Sequence, residues 1–178
     1  MLFIPFLIAG FLSIIDIIKM DNSEKKIAEY LSPFNDEITL LTKQLREFLR
    51  EETKPAYEIV GDSHQSLNIG YGFTEKAWDC YCAIIVYNNH INISFSAGSS
   101  LIDSEGILIG SGSKIRHIRI HDLNDIKQPH VMKILHEARK KAFNKVEKHK
   151  EDYEPIYTII KEISGRKNRQ QHNLVKKN

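Results

Sequence analysis

The segment from Gly110 to Arg119 holds the densest set of groups that could retain a ligand. Gly110-Ser111-Gly112-Ser113-Lys114 is followed by Arg116, His117 and Arg119. A glycine-rich loop lets backbone N–H groups approach an anion, and nearby lysine and arginine add charge. The chemistry implied is non-covalent: Gly110, Gly112, Lys114, Arg116, His117 and Arg119 would hold a small anionic ligand, with Trp78 and Tyr71 as apolar walls. The spacing is not that of a P-loop, and no helix start follows it. A sharp turn between strands would use the same glycines.

Other candidate groups are less organised. Cys80 and Cys82 are two apart on an expected strand, which would put both side chains on one face. One intervening residue, with no second pair, is a poor match to zinc-ligand spacing, and two small core or half-buried residues explain the pair better. A disulfide between them would be strained. His117 and His121 flank Arg119 on the outer side of their strand, where like charge disfavours both imidazolium and a bound cation. His136 and His149 read as surface helix residues. Asp62, Asp79, Asp103, Glu105 and Asp122 fall at strand ends or in loops, where a weak iron or magnesium site would have to be assembled in space. No serine nucleophile elbow, HExxH or GxGxxG is present, so no catalytic residue is assigned.

The elements that must position these groups follow from periodicity. Ser32-Pro33 and Asn35-Asp36 are helix-start signals. Ile38, Leu41, Leu45, Phe48 and Leu49 then recur at helical spacing, predicting a helix over about 34–52 that ends before Pro55. A shorter helix is expected at about 23–31. Residues 66–71 alternate as a strand. Residues 79–96 predict a β-hairpin around Asn88-Asn89, since Asn tolerates positive φ; its buried face would carry Ile91, Ile93 and Phe95. Residues 97–113 read mostly as loop, with a short strand at 107–109. Residues 116–120 alternate again, placing Ile118 and Ile120 on the core side. A helix with Pro129 in its first turn would bury Val131, Ile134, Leu135, Ala138 and Ala142 behind a basic outer face. Residues 153–163 suit a last short helix. The fold class expected is α+β: an antiparallel sheet of about five strands, with helices before and after it packed on one face.

The chain has 178 residues, is 42% hydrophobic and 27% charged, and carries a formal net charge of +2. That composition excludes a largely disordered, collagen-like or polytopic membrane protein, and two cysteines exclude a disulfide-dense scaffold. The charge is segregated. Residues 20–138 hold 12 basic and 17 acidic side chains, whereas residues 139–178 hold 12 basic and 5 acidic. The near-neutral total therefore hides an acidic body and a basic last quarter, and implies no specific nucleic-acid partner. Residues 1–18 contain only Ser13 and Asp16 as polar groups. They lack the basic leader and small-x-small site of a secretory signal. Three readings stand for residues 1–19: a start codon taken too far upstream of Met20, a weak membrane anchor that keeps the domain cytoplasmic, or a helix packed on the domain. The division expected is an apolar segment at 1–19, a domain over 20–150, and a short helix with a basic solvated tail over 151–178. The tail would make at most weak electrostatic contacts with RNA or anionic lipid.

A run of residues then carries a resemblance. Gly61-Asp62, Leu67-Asn68-Ile69-Gly70-Tyr71, Asn92-Ile93-Ser94-Phe95, Gly98, Leu101, Asp103-Ser104-Glu105-Gly106-Ile107-Leu108 and Gly110 to Ile118 resemble the YdhG-like domain family, whose function is uncharacterised. The resemblance covers about residues 24–143. Ser104 stands where that family usually has proline. The resemblance implies a small cytoplasmic α+β domain of bacterial type, beginning near Met20. Some members of the wider family carry an iron-chaperone or frataxin-like label. Two functional expectations follow: a non-enzymatic module that binds a small anionic ligand or a protein partner at 110–119 with no cofactor, or an iron-binding chaperone for iron–sulfur assembly that uses converging carboxylates. An enzyme of unknown reaction is a third.

Overall fold

The structure is a computed structural model describing residues 14–63, 65–146 and 158–161. Helix α1 (Ile14–Leu31) runs through the expected 23–31 helix and begins earlier. Asn35 caps α2 (Asp36–Glu52): its Oδ1 accepts the Ile38 N–H at 2.8 Å, and Asp36 and Glu37 sit in the first turn, where the helix dipole favours negative charge. Ile38, Leu41, Leu45 and Leu49 are buried on one stripe of α2. Strands β1 (Tyr57–Asp62) and β2 (Leu67–Gly72) follow as an antiparallel pair. After a 3-10 turn at Ala77–Asp79 come β3 (Cys82–Tyr87) and β4 (His90–Phe95), the expected hairpin. Asn88-Asn89 makes its two-residue turn without positive φ, which among the described residues only glycines adopt.

Strand β5 (Arg116–Ile120) pairs with β4. Asp122 then opens the short helix α3 (Leu123–Lys127) with a capping box completed by Asp125. Pro129 starts α4 (Pro129–Val146), where its missing N–H costs nothing. Strand β6 (Thr158–Lys161) lies beside β1.

The order across the sheet is β5-β4-β3-β2-β1-β6, with β1 and β6 parallel and every other neighbouring pair antiparallel. The class is α+β as expected, but the sheet is a six-stranded mixed one rather than about five antiparallel strands. The expected short strand at 107–109 is only an isolated bridge from Ile109 to His117, and two further strands are gained. Residues 57–62 form a strand although Glu58, Gly61 and Asp62 interrupt its apolar pattern. Residues 158–161 form a strand, not part of a last helix, because the Thr158-Ile159-Ile160 run is β-branched and pairs along β1.

Alternation gives the sheet two unlike faces. Val60, Leu67, Ile69, Tyr71, Cys82, Ile84, Val86, Ile91, Ile93, Phe95, Ile118 and Ile120 share one face. They form a single core with the apolar residues of α1, α2, α3 and α4. The opposite face carries Ile59, Gly61, Asn68, Gly70, Ala83, Ile85, Tyr87, Asn92, Ser94, His117, Arg119 and Lys161. The 3-10 turn at 77–79 stands over this second face, so helical segments lie on both sides and not on one. No helix among the described residues is long and apolar enough to cross a membrane.

Candidate functional site

The 110–119 segment is only partly the site its composition suggested. Gly110 takes φ +129, a backbone conformation open to glycine and strained for other residues. Two reciprocal backbone hydrogen bonds, of 2.8 and 2.9 Å, tie Ile109 to His117 and fold the loop back along β5. Arg116 points into its own loop: Nη1 donates to the Gly112 carbonyl at 2.5 Å and to the Ile115 carbonyl at 2.8 Å. The Ser113 carbonyl accepts from Ser99 Oγ, and the Lys114 carbonyl accepts from the Ser99 N–H. The loop thus spends Arg116 on its own closure. The side chains of Lys114 and Arg119 are exposed and carry no ion pair or hydrogen bond among the described residues.

His117 and Arg119 stand side by side on the second face, opposite Ser94 and Asn92 of β4, with His90 at the end of that strand. Partial burial, and then the Arg119 charge, hold the His117 imidazole below its ordinary range; the same two causes, followed by His117, lower His90. Tyr87 and His90 stack with ring centroids 4.4 Å apart. This edge of the sheet is basic but disfavours imidazolium.

Next to it is a cleft of about 560 Å³ on the second face. Gly61, Gly70, Ala83 and Ser94 form a low floor, with Ile59, Ile85, Ile115 and Trp78 as apolar walls. Trp78 is 78% exposed and Ile115 58%, a large apolar surface to leave in water. Lys161 lines the β6 side of the cleft, and its side chain carries no ion pair or hydrogen bond among the described residues. Among the described residues no carboxylate lines the cleft. The glycine segment therefore contributes a wall through Ile115, and Trp78 stands where a wall was expected. Tyr71 does not. It is fully buried on the opposite face, because its position in β2 alternates with that of Gly70, and its hydroxyl donates to Glu58 Oε1 at 3.2 Å.

Cys80 lies just before β3, so strand alternation does not place it with Cys82. Cys82 is in the core, whereas Cys80 packs over Gly70, where a Cβ would come within 2.7 Å of its Sγ. Burial, with a smaller contribution from Asp79, pushes the Cys80 thiol up to about 12, so near neutral pH it stays a thiol and a poor nucleophile.

The carboxylates considered for a metal are dispersed and employed. Asp79 Oδ2 accepts from the Thr74 hydroxyl at 2.7 Å. Asp103 accepts the N–H groups of Ile107 and Leu108, at 3.0 and 2.8 Å, and so shapes the acidic turn. Glu105 faces His130 at 3.2 Å. Asp122 caps α3, and Asp62 is buried at the end of β1. Among the described residues no three His, Cys, Asp or Glu side chains converge as a metal site.

Sequence reasoning missed one polar centre. On the core face, Arg46 donates through Nε and Nη2 to the two oxygens of Glu58, at 2.8 and 2.9 Å. It also donates through Nη1 and Nη2 to Glu24, at 2.6 and 2.5 Å. Tyr71 and Thr158 complete the shell of Glu58, the latter at 2.6 Å. The hydrogen bonds from Arg46 hold the Glu24 carboxyl below its ordinary range, against the opposing effect of partial burial. The centre ties α1, α2, β1, β2 and β6 together. The clue was Glu58 within Tyr57-Glu58-Ile59-Val60, a charge inside an apolar run with no local partner.

No protein-family model, curated protein or solved structure matches the chain.

Proposed function

We propose that the chain is a non-enzymatic binding module, and that its ligand is a small anion with an apolar body seated in the cleft on the second face. One observation carries the reading: an open cleft of about 560 Å³ has apolar walls, a floor of small side chains, and, among the described residues, one charged side chain, Lys161. Cavities that bind small molecules combine mostly apolar lining with a few placed polar groups. The reading keeps the ligand class implied by the 110–119 segment but moves the ligand beside it, where Ile115 is the contact and His117 and Arg119 border the same face. Burial holds the Cys80 thiol protonated, which argues against thiol catalysis at the cleft.

The test is a titration of the full chain with 1-anilinonaphthalene-8-sulfonate, a flat aromatic anion. Saturable binding at one site is expected. Ala83→Phe fills the cleft floor and should weaken binding at least tenfold. Lys161→Gln should weaken it about threefold to tenfold at low salt, by less as salt rises. No saturable binding, or binding untouched by Ala83→Phe, overturns the proposal.

A further inference from the structure

The cleft does not end at Trp78. A second cavity, of about 320 Å³, opens on the far side of that indole, and Trp78 and Ser96 line both. The second cavity is lined by Phe73, Tyr81, Leu101, Ala138, Ala142 and Val146, between the end of the sheet and the last turns of α4. Its aromatic wall is built firmly: Phe73 stacks on Tyr81 at 5.4 Å and meets Phe143 edge-on at 5.2 Å. Its charged groups are mostly engaged. Lys141 pairs with Glu137 at 2.7 Å, and Asp79 holds Thr74. Lys145, at the rim, is exposed.

The register sets the direction of the path. Lys161 pairs with Gly61, which faces Asn68 at the start of β2, whereas Trp78 follows the other end of that strand. From Asn68 to Gly72 the strand advances about 14 Å. Cys80 and the Asp79 carbonyl cover Gly70 and Gly72, so a ligand anchored at Lys161 runs beside β2, over Ala83 and past Cys80, and reaches Trp78 and Ser96 before it enters the second cavity. A compact anion would fill only the first cavity and leave the aromatic one empty.

Resting on the cleft reading above, we infer that the ligand is a long-chain amphiphilic anion, of the acyl carboxylate class, with its head at Lys161 and its tail past Trp78 in the aromatic cavity. Charge complementarity selects this occupant. Among the described residues Lys161 is the one charged group in the first cavity, and the lining of the second is mainly apolar. A second copy of the chain is disfavoured, because facing copies would oppose Lys161, Arg119 and His117 to themselves.

The chain holds one tryptophan, so Trp78 fluorescence reads occupancy directly. The full chain is titrated with straight-chain carboxylates of six to fourteen carbons, each below its micelle concentration, and with dodecanol. Affinity should rise about twofold to fourfold per added methylene group and continue to rise beyond ten carbons. Dodecanol should bind at least threefold more weakly than dodecanoate, and Lys161→Gln should remove that difference. Ala142→Leu narrows the second cavity and should flatten the rise beyond ten carbons while leaving hexanoate unchanged. Ala97→Phe does the same from an exposed rim position that no folding defect should follow. A rise that both variants leave intact overturns the inference while cleft binding stands. Binding that stops improving at eight carbons in the native chain overturns it as well. Absence of binding by any carboxylate, together with saturable binding of the naphthalene sulfonate, overturns the acyl class but not the cleft.

Discussion

The two faces of the sheet are made from alternate residues of the same strands, yet they are built on opposite rules. On the core face, Leu67, Ile69, Ile84, Ile91, Ile93 and Phe95 are wholly buried against the helices. Its ionic centre is densely paired: Arg46 makes four hydrogen bonds to two carboxylates, and Glu58 also receives Tyr71 and Thr158. On the second face many of the alternate positions are Gly, Ala, Ser or Asn, and among the described residues the side chains of Lys161 and Arg119 have no ion pair or hydrogen bond. Burying a charge is tolerable only when its hydrogen bonds are complete. The contrast teaches that saturation marks the parts of this molecule that hold it together, and unspent groups mark the part that meets something else.

The sharpest way to break the contrast is Glu58→Ala. It leaves Arg46 with Glu24 alone and takes the shared acceptor from the Tyr71 and Thr158 hydroxyls; it should cost about 3–5 kcal/mol, read as a lower urea midpoint at unchanged slope. A loss under 1 kcal/mol would mean that the centre is not structural. Next comes a pair of neighbours in β4 that point to opposite faces. Ile93→Ala should cost about 2–5 kcal/mol by leaving a cavity, whereas Ser94→Ala should stay within about 0.5 kcal/mol. Similar losses at both positions would erase the distinction between the faces. The smallest effect concerns the basic edge. His117 should titrate below 6.5 by proton NMR, and Arg119→Ala should raise its midpoint part of the way back, since burial is the larger cause. A lowered folded pKa means that the unfolded chain binds the proton more readily. The imidazole's contribution to stability is therefore complete above the unfolded value of about 6.5 and is lost as pH falls through the folded one. A midpoint above 6.5 would contradict this.

The elements legible in the sequence were those whose pattern is local. Asn35 as a cap, the α2 stripe, the 82–95 hairpin, Ile118 and Ile120 facing inward, and Pro129 opening α4 all follow from spacing of 2 or 3.6 residues and from end signals. The misread elements depend on distant partners. Glu58 breaks the pattern of β1 unless Arg46 is supplied from α2, and Thr158-Ile159-Ile160 is ambiguous until β1 is beside it. The site was legible as a neighbourhood only. Trp78 and Ile115 were near the right place, whereas the inward turn of Arg116 and the burial of Tyr71 depend on contacts that composition does not encode. Lys161 was hidden altogether, because its strand was read as a helix.

The parallel pairing of β6 with β1 has a consequence for synthesis. Residues 158–161 lie about a hundred positions beyond the strand they complete, so β1 leaves the ribosome well before its outer neighbour exists. During that interval β1 is a sheet edge with open backbone donors and acceptors, the surface on which chains pair wrongly with one another. Until Thr158 arrives, Glu58 also lacks its last hydrogen bond. The nascent chain passes through a vulnerable stage that ends only when residues 158–161 are translated, which ties yield in the cell to the integrity of those four residues.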